Sequence, residues 1–103
     1  MIPVAADAEQ ALAMIRSHPD GTVVDVRDEE EYITGHLADA VLLPVDEISA
    51  ETAAEALPDQ SSPVLVYCKT GKRSRAAADK LAALGYSKLY DLGGLGGWPY
   101  GLE

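Results

Sequence analysis

The sequence has little of several residue types, and each shortage argues against a class of protein. One cysteine, Cys68, is present among 103 residues, so no disulfide framework within the chain supports the fold. Lys and Arg number 8 against 17 Asp and Glu, which gives a formal net charge of −9. Nucleic acids and anionic lipid surfaces are bound by basic patches, so neither is an expected partner. No stretch approaches the roughly 18 apolar residues of a membrane-spanning helix.

The residues that are abundant describe an ordinary globular composition. Hydrophobic residues make up 48% and charged residues 24% of the chain, which is typical of a packed protein rather than a disordered one. A chain of this length has room for one core, so we predict a single domain over residues 1–103. Residues 1–4 carry no basic flank or long apolar stretch. We therefore expect no targeting segment and a reducing, cytoplasmic setting.

Short apolar runs alternate with helical segments along the chain. The runs are rich in β-branched residues and predict strands, while apolar residues at helical spacing and Gly or Pro stops predict helices. Strands that alternate with helices and are apolar throughout indicate a mainly parallel sheet covered on both faces. Residues 93–97 contain too much glycine for regular structure. Strands are predicted at 22–26, 41–43, 64–67 and 88–92, and helices at 8–18, 28–33, 49–57 and 73–84.

The charge is unevenly distributed along the chain. Residues 64–90 contain six of the eight basic residues and a single acid, Asp79. This pattern has two interpretations: chance combined with a solvated acidic face elsewhere, or a basic segment that surrounds an anion site. Charge alone does not decide between them.

The junction that follows the third predicted strand carries the chemistry. Cys68 ends the strand, and a helix begins near Arg73, so the tight loop between them should turn its backbone N–H groups inward. The positive end of the helix and the side chains of Lys69, Lys72 and Arg73 favour a thiolate over a thiol. A structural core cysteine needs no such surroundings. The pattern therefore predicts that Cys68 is a nucleophile.

Three sequence blocks occur in order across nearly the whole chain. They are Val-Asp-Val-Arg at 24–27 with Gly-His-Leu at 35–37, Cys-Lys-Thr-Gly-Lys-Arg-Ser at 68–74, and Leu-Gly-Gly at 92–94 with Trp98. Together these blocks resemble the rhodanese-like sulfurtransferases. The resemblance implies an α/β fold of the rhodanese-like type, with a small, mainly parallel central sheet and helices on both faces.

The resemblance also implies a mechanism. Cys68 would attack the outer sulfur of a donor such as thiosulfate, and an acceptor would then take the sulfur from the Cys68 persulfide. Lys69 and Lys72 would attract an anionic donor, and the Arg73 guanidinium would bind loop carbonyls or a donor oxygen. No metal or organic cofactor is implied. The expected persulfide-binding loop is Lys69, Thr70, Gly71, Lys72 and Arg73.

The acceptor and the reaction class leave alternatives. The acceptor is expected to be a small thiol, cyanide, thioredoxin or a sulfur-carrier protein, and one alternative function is a docking module that delivers sulfur only to a bound protein. Related phosphatases and arsenate reductases place one more residue between their Cys and Arg than the four that separate Cys68 from Arg73. The shorter loop favours sulfur transfer over phosphate or arsenate chemistry.

Polar residues of the first block have two interpretations. Asp25, Arg27 and His36 would either belong to the active site, with His36 as a general base, or form a buried network that supports the loop. We favour support, because an ionised Cys68 needs no base. Glu31 is expected on a solvated helix face, where it could pair with Arg27. Two histidines and one cysteine do not suggest a zinc site.

Overall fold

A computed structural model describes all 103 residues as a four-stranded sheet flanked by helices. All strand pairs are parallel, and the strand order is β2-β1-β3-β4, with β3 at a central position. None of the helices is long and apolar enough to cross a bilayer. The elements are α1 (Ala8–Ser17), β1 (Thr22–Asp25), α2 (Glu29–Thr34), β2 (Val41–Leu42), a short 3₁₀ turn (Val45–Glu47), α3 (Ala50–Ala56), β3 (Val64–Cys68), α4 (Lys72–Ala83) and β4 (Leu89–Gly94).

Strand β3 divides the core into two layers because successive side chains of a strand point to opposite faces. Val64, Val66 and Cys68 face the layer that α3 and α4 cover. Leu65 and Tyr67 face the layer that α1 covers. All five residues of β3 are buried, which confirms the predicted parallel sheet with helices on both faces. The alternation also places Cys68 beneath the N-terminal end of α4.

The helix ends lie where local sequence signals place them. Asp7 caps α1, and its carboxylate accepts a hydrogen bond from the Gln10 backbone N–H at 2.9 Å. Gly85 follows the C-cap of α4 with a φ of +107°, a left-handed conformation that glycine adopts without steric cost. These caps explain why the predicted boundaries agree with the observed ones to within one or two residues.

The last strand extends further than its glycines predict. Residues 93–97 were expected to lack regular structure, yet β4 continues through Gly94, with Gly93 beside Tyr67 and Gly94 beside Cys68. The extension follows a register shift at Val66 and Tyr67. Pairing with a central strand outweighs the low strand propensity of glycine here. This pairing places Gly93 and Gly94 against the end of β3 that leads into the Cys68 loop.

Candidate active site

Cys68 lies at the carboxyl end of β3, where the chain turns into α4. Its side chain is buried, and its Sγ accepts hydrogen bonds from two backbone N–H groups, those of Gly71 at 3.0 Å and Ser74 at 3.3 Å. Both donors also lie at the positive end of the α4 dipole. The loop therefore points fixed positive dipoles at the sulfur, an arrangement that stabilises negative charge on it. Ser74 was not among the predicted loop residues.

Two glycines give the loop its shape. Gly71 has a φ of +97°, and its carbonyl accepts hydrogen bonds from the Ser74 hydroxyl at 3.1 Å and from the Arg75 N–H at 3.2 Å. Gly94 of the adjacent strand lies so close that a Cβ there would come within 2.5 Å of the Thr70 Cα. Backbone contacts with β4 and the next residues thus hold the loop from one side, including the Leu95 N–H that donates to the Cys68 carbonyl at 2.9 Å.

A cavity of about 330 Å³ opens over Cys68. Three charged side chains line it: Arg27, Glu31 and Lys69. Of the five predicted loop residues only Lys69 lines the cavity, and Thr70, Gly71, Lys72 and Arg73 lie outside the lining. The rest of the wall is largely apolar or backbone and is formed by Thr34, Leu37, Tyr67, Leu95, Gly96, Gly97, Trp98 and Leu102.

Arg73 and Glu31 form a two-pronged ion pair beside this cavity. The guanidinium donates from Nη1 to Oε1 at 2.6 Å and from Nη2 to Oε2 at 3.0 Å. These hydrogen bonds lower the pKa of Glu31 to about 2. The expectation that Glu31 pairs with Arg27 is wrong, because Arg27 binds Asp25 instead. Both hydrogen bonds of the Arg73 guanidinium go to this carboxylate and none goes to a loop carbonyl, whereas binding of a donor oxygen by Arg73 stays a prediction.

Asp25, Arg27 and Tyr67 form a buried network under the cavity. The Asp25 carboxylate is fully buried and accepts from Arg27 Nη2 and from Tyr67 Oη, both at 2.7 Å. Arg27 also donates from Nη2 to the Gly35 carbonyl at 2.7 Å. The hydrogen bond to Asp25 raises the pKa of Arg27, and burial raises the pKa of Tyr67. Tyr67 was missed as a member of this network, although it stands beside Asp25 in the register of β1 and β3.

His36 stands apart from that network. Its Nδ1 donates to the Tyr32 carbonyl at 2.9 Å, and its ring stacks on the Tyr32 ring with centroids 3.7 Å apart. The ring makes no hydrogen bond to Asp25 or Arg27 and does not line the cavity over Cys68. Of the three first-block residues, the structure thus brings Asp25 and Arg27 together and leaves His36 packed on α2. No group of three or more His, Cys, Asp or Glu side chains is arranged to hold a metal ion.

Comparison with known proteins adds a family to this geometry. A sequence profile described as Rhodanese-like domain matches residues 7–99, which is most of the chain. The chain belongs to the rhodanese-like family. The resemblance inferred from the three sequence blocks is therefore confirmed.

Curated relatives and solved structures of this rhodanese-like chain agree with that assignment. It is 36% identical over 88 residues to thiosulfate sulfurtransferase PspE of Escherichia coli, covering 82% of this chain and 84% of the relative. It is 36% identical over 80 residues to thiosulfate sulfurtransferase GlpE of Coxiella burnetii, covering 77% and 72%. An E. coli rhodanese with anions superposes with a TM-score of 0.68 at 36% identity, covering 73% of this chain and 87% of that one. A rhodanese-like domain from Anabaena superposes with a TM-score of 0.77 at 28% identity, covering 95% and 74%.

Aromatic and apolar side chains form one rim of the rhodanese-like cavity. Trp98 is half-buried and meets the exposed ring of Tyr100 edge to face, with centroids 4.9 Å apart. Leu102 packs against Gly35 and also lines the cavity. Trp98 is thus packed against Tyr100 at the edge of the cavity. The same ring also forms part of the wall around Cys68.

Proposed function

We propose that this protein is a sulfurtransferase that carries a sulfane sulfur as a persulfide on Cys68. The observation that carries the proposal is the position of the only cysteine. Its Sγ lies beneath an open cavity and accepts from the N–H groups of Gly71 and Ser74. Relatives named thiosulfate sulfurtransferase support the same reaction class. A thiolate is the nucleophilic form, and the N–H groups favour it.

The reaction balances with thiosulfate as the donor. The Cys68 thiolate attacks the outer sulfur, an S–S bond forms at Sγ, and the bond to the sulfonate sulfur breaks as sulfite leaves with its electron pair. An acceptor nucleophile such as cyanide then attacks the outer sulfur of the persulfide, which releases thiocyanate and restores the thiolate. The persulfide remains anionic between the two steps. The loop N–H groups of residues 69–74 would stabilise that charge without moving.

The remaining predicted residues take supporting roles in this proposal. Lys69 lines the cavity and would attract an anionic donor. The Asp25–Arg27 pair would fix the position of Tyr67, which lines the cavity and donates a hydrogen bond to Asp25. His36 takes no catalytic role in this proposal, because its ring packs on Tyr32 and does not line the cavity over Cys68. A single functional domain over residues 1–103, the absence of a cofactor and a cytoplasmic location stay predictions.

The proposal is tested on the unmodified protein. After incubation with thiosulfate and removal of small molecules, the intact mass should increase by one sulfur atom, and peptide mapping should place that sulfur on Cys68. Addition of cyanide should then restore the original mass and release thiocyanate. Absence of sulfur uptake from thiosulfate and from organic persulfides would contradict the proposal. Hydrolysis of a phosphate ester at Cys68 would replace it with phosphatase chemistry.

The same experiment separates a catalyst from a sulfur-carrier module. A catalyst should pass the sulfur to cyanide or small thiols repeatedly, which gives ping-pong kinetics. A docking module should take up sulfur yet turn over only when a protein acceptor, such as thioredoxin or a sulfur-carrier protein, is added. We favour the catalyst because the cavity over Cys68 is open to small molecules.

The two lysines of the loop give a prediction about donor binding. Lys69 lines the cavity and Lys72 does not, although both are exposed and lie close in the chain. Lys69→Gln should therefore raise the thiosulfate KM about three- to tenfold with little change in kcat, since it weakens attraction of the donor. Lys72→Gln removes the same charge outside the cavity and serves as the matched control, in which the thiosulfate KM should rise less. Steady-state kinetics at low salt measure both; equal KM values for Lys69→Gln and the unmodified protein would contradict the assignment.

A further inference from the structure

The cavity over Cys68 contains a negative charge that a site for small anions does not need. Glu31 lines the cavity, and its carboxylate is held by both prongs of Arg73. The ion pair keeps Glu31 ionised across the physiological range of pH, with a pKa of about 2. The negative charge is therefore a constant feature of the cavity.

The ion pairs also reduce the positive charge that reaches the cavity. Arg73 lies outside the lining and is paired with Glu31, while Arg27 is paired with the buried Asp25 at 2.7 Å. Lys69 is the one cation of the lining without a carboxylate partner. The basic segment of the sequence thus contributes about one uncompensated positive charge to the cavity, that of Lys69, and within the Glu31–Arg73 pair only the carboxylate lines it. A dianion gains less here than the count of loop cations suggests.

We propose that Glu31 is a specificity-determining residue that disfavours small dianionic sulfur donors and favours donors with less negative charge next to the sulfane sulfur. The negative charge of Glu31 repels an anionic donor. Glu31 also accepts the hydrogen bonds of the Arg73 guanidinium, which would otherwise be free to bind donor oxygens. The inference rests on the proposed sulfur transfer and specifies its donor class. An organic persulfide on a neutral or cationic carrier fits the cavity better than thiosulfate does.

Alkylation of Cys68 tests the charge of the cavity without any sulfur transfer. Iodoacetate and iodoacetamide are nearly equal in size and react with the same thiolate, but only iodoacetate is charged. A change in the reactivity of the sulfur alters both rates equally and leaves their ratio unchanged. The ratio of the two rates therefore reports how strongly the charge of the cavity attracts or repels an anionic reagent. Cys68 is the only cysteine, so each rate belongs to it. Glu31→Gln should raise the iodoacetate-to-iodoacetamide ratio about threefold at low salt, and added salt should reduce the effect.

Glu30→Gln is the matched control for this test. Glu30 lies on the same helix and is exposed, and its replacement removes the same charge without touching the cavity. The ratio should stay unchanged in this variant. An unchanged ratio in Glu31→Gln, or an equal rise in Glu30→Gln, would overturn the proposal. Equal changes in both alkylation rates would mean that Glu31 only tethers α2 to α4. Absence of Cys68 alkylation by either reagent in the folded protein would also contradict the proposal, since a donor of similar size would not reach the sulfur.

Two donors that differ by one charge extend the test to catalysis. Methanethiosulfonate is a monoanion that delivers a sulfane sulfur to a thiolate and leaves as methanesulfinate, in the same way that thiosulfate leaves as sulfite. Glu31→Gln should lower the thiosulfate KM about fivefold and the methanethiosulfonate KM about twofold, with little change in kcat. Equal shifts for the two donors would contradict a charge-based selection. If neither donor loads Cys68, the proposed function fails, while the alkylation ratio still decides the charge of the cavity.

Discussion

A Cys68→Ser variant should lose sulfur transfer from thiosulfate to cyanide by at least about a thousandfold, because it removes the atom on which the persulfide forms. A serine hydroxyl remains protonated near neutral pH and has no tendency to accept a sulfane sulfur. No other cysteine is present to take over the reaction. Both the gain of one sulfur atom in the intact mass and the release of thiocyanate should therefore disappear.

Serine is the appropriate replacement because it preserves the loop. Its hydroxyl oxygen can accept from the N–H groups of Gly71 and Ser74, which now donate to the sulfur at 3.0 and 3.3 Å. The unfolding midpoint of Cys68→Ser should thus stay close to that of the unmodified protein. Thr70→Ser, an exposed change in the same loop and outside the cavity lining, should keep near-normal activity and is the control. Thiocyanate production by Cys68→Ser at a normal rate would disprove the role of the sulfur.

The fold could largely be predicted from the sequence because its signals are local. The apolar run that became β3 is buried along its whole length, and glycines and caps mark the helix ends. The extension of β4 to Gly94 could not be predicted in this way. It depends on parallel pairing with Cys68 and on a register shift in the sheet, both of which join residues far apart in the chain.

The same distinction separates the parts of the candidate site. Cys68 and the loop that follows it are contiguous, so their order in the sequence already indicates how the N–H groups surround the sulfur. The partner of Arg73, in contrast, lies 42 residues away on α2, and three neighbouring glutamates offer equal candidates in the sequence. Only the approach of α2 to the start of α4 selects Glu31. The charge of the cavity therefore follows from tertiary structure and not from the count of basic residues.

The second large effect is expected on stability, at Asp25. Its carboxylate is fully buried and accepts hydrogen bonds from the Arg27 backbone N–H at 2.9 Å, from the Arg27 guanidinium and from the Tyr67 hydroxyl. Asp25→Ala would leave the Arg27 side chain, which is 14% exposed, without its counter-charge, and would leave the Tyr67 hydroxyl without its acceptor. Breaking a buried ion pair from one side costs about 3–5 kcal/mol of unfolding free energy.

Tyr67→Phe separates the ion pair from the rest of the network. This change removes the hydroxyl that donates to Asp25 at 2.7 Å and accepts from the Leu37 N–H at 3.1 Å, but it keeps the Asp25–Arg27 pair. Its expected cost is about 1–3 kcal/mol, because one hydrogen bond to the carboxylate and one from a backbone N–H are lost but no charge is left unpaired. Urea unfolding of both variants measures the difference at constant m-value. A smaller loss for Asp25→Ala than for Tyr67→Phe would contradict the view that charge pairing dominates this network. An equally large loss of unfolding free energy in both variants would instead indicate that the Tyr67 hydroxyl provides most of the stability of the network. That hydroxyl connects β3 to Leu37, which precedes β2.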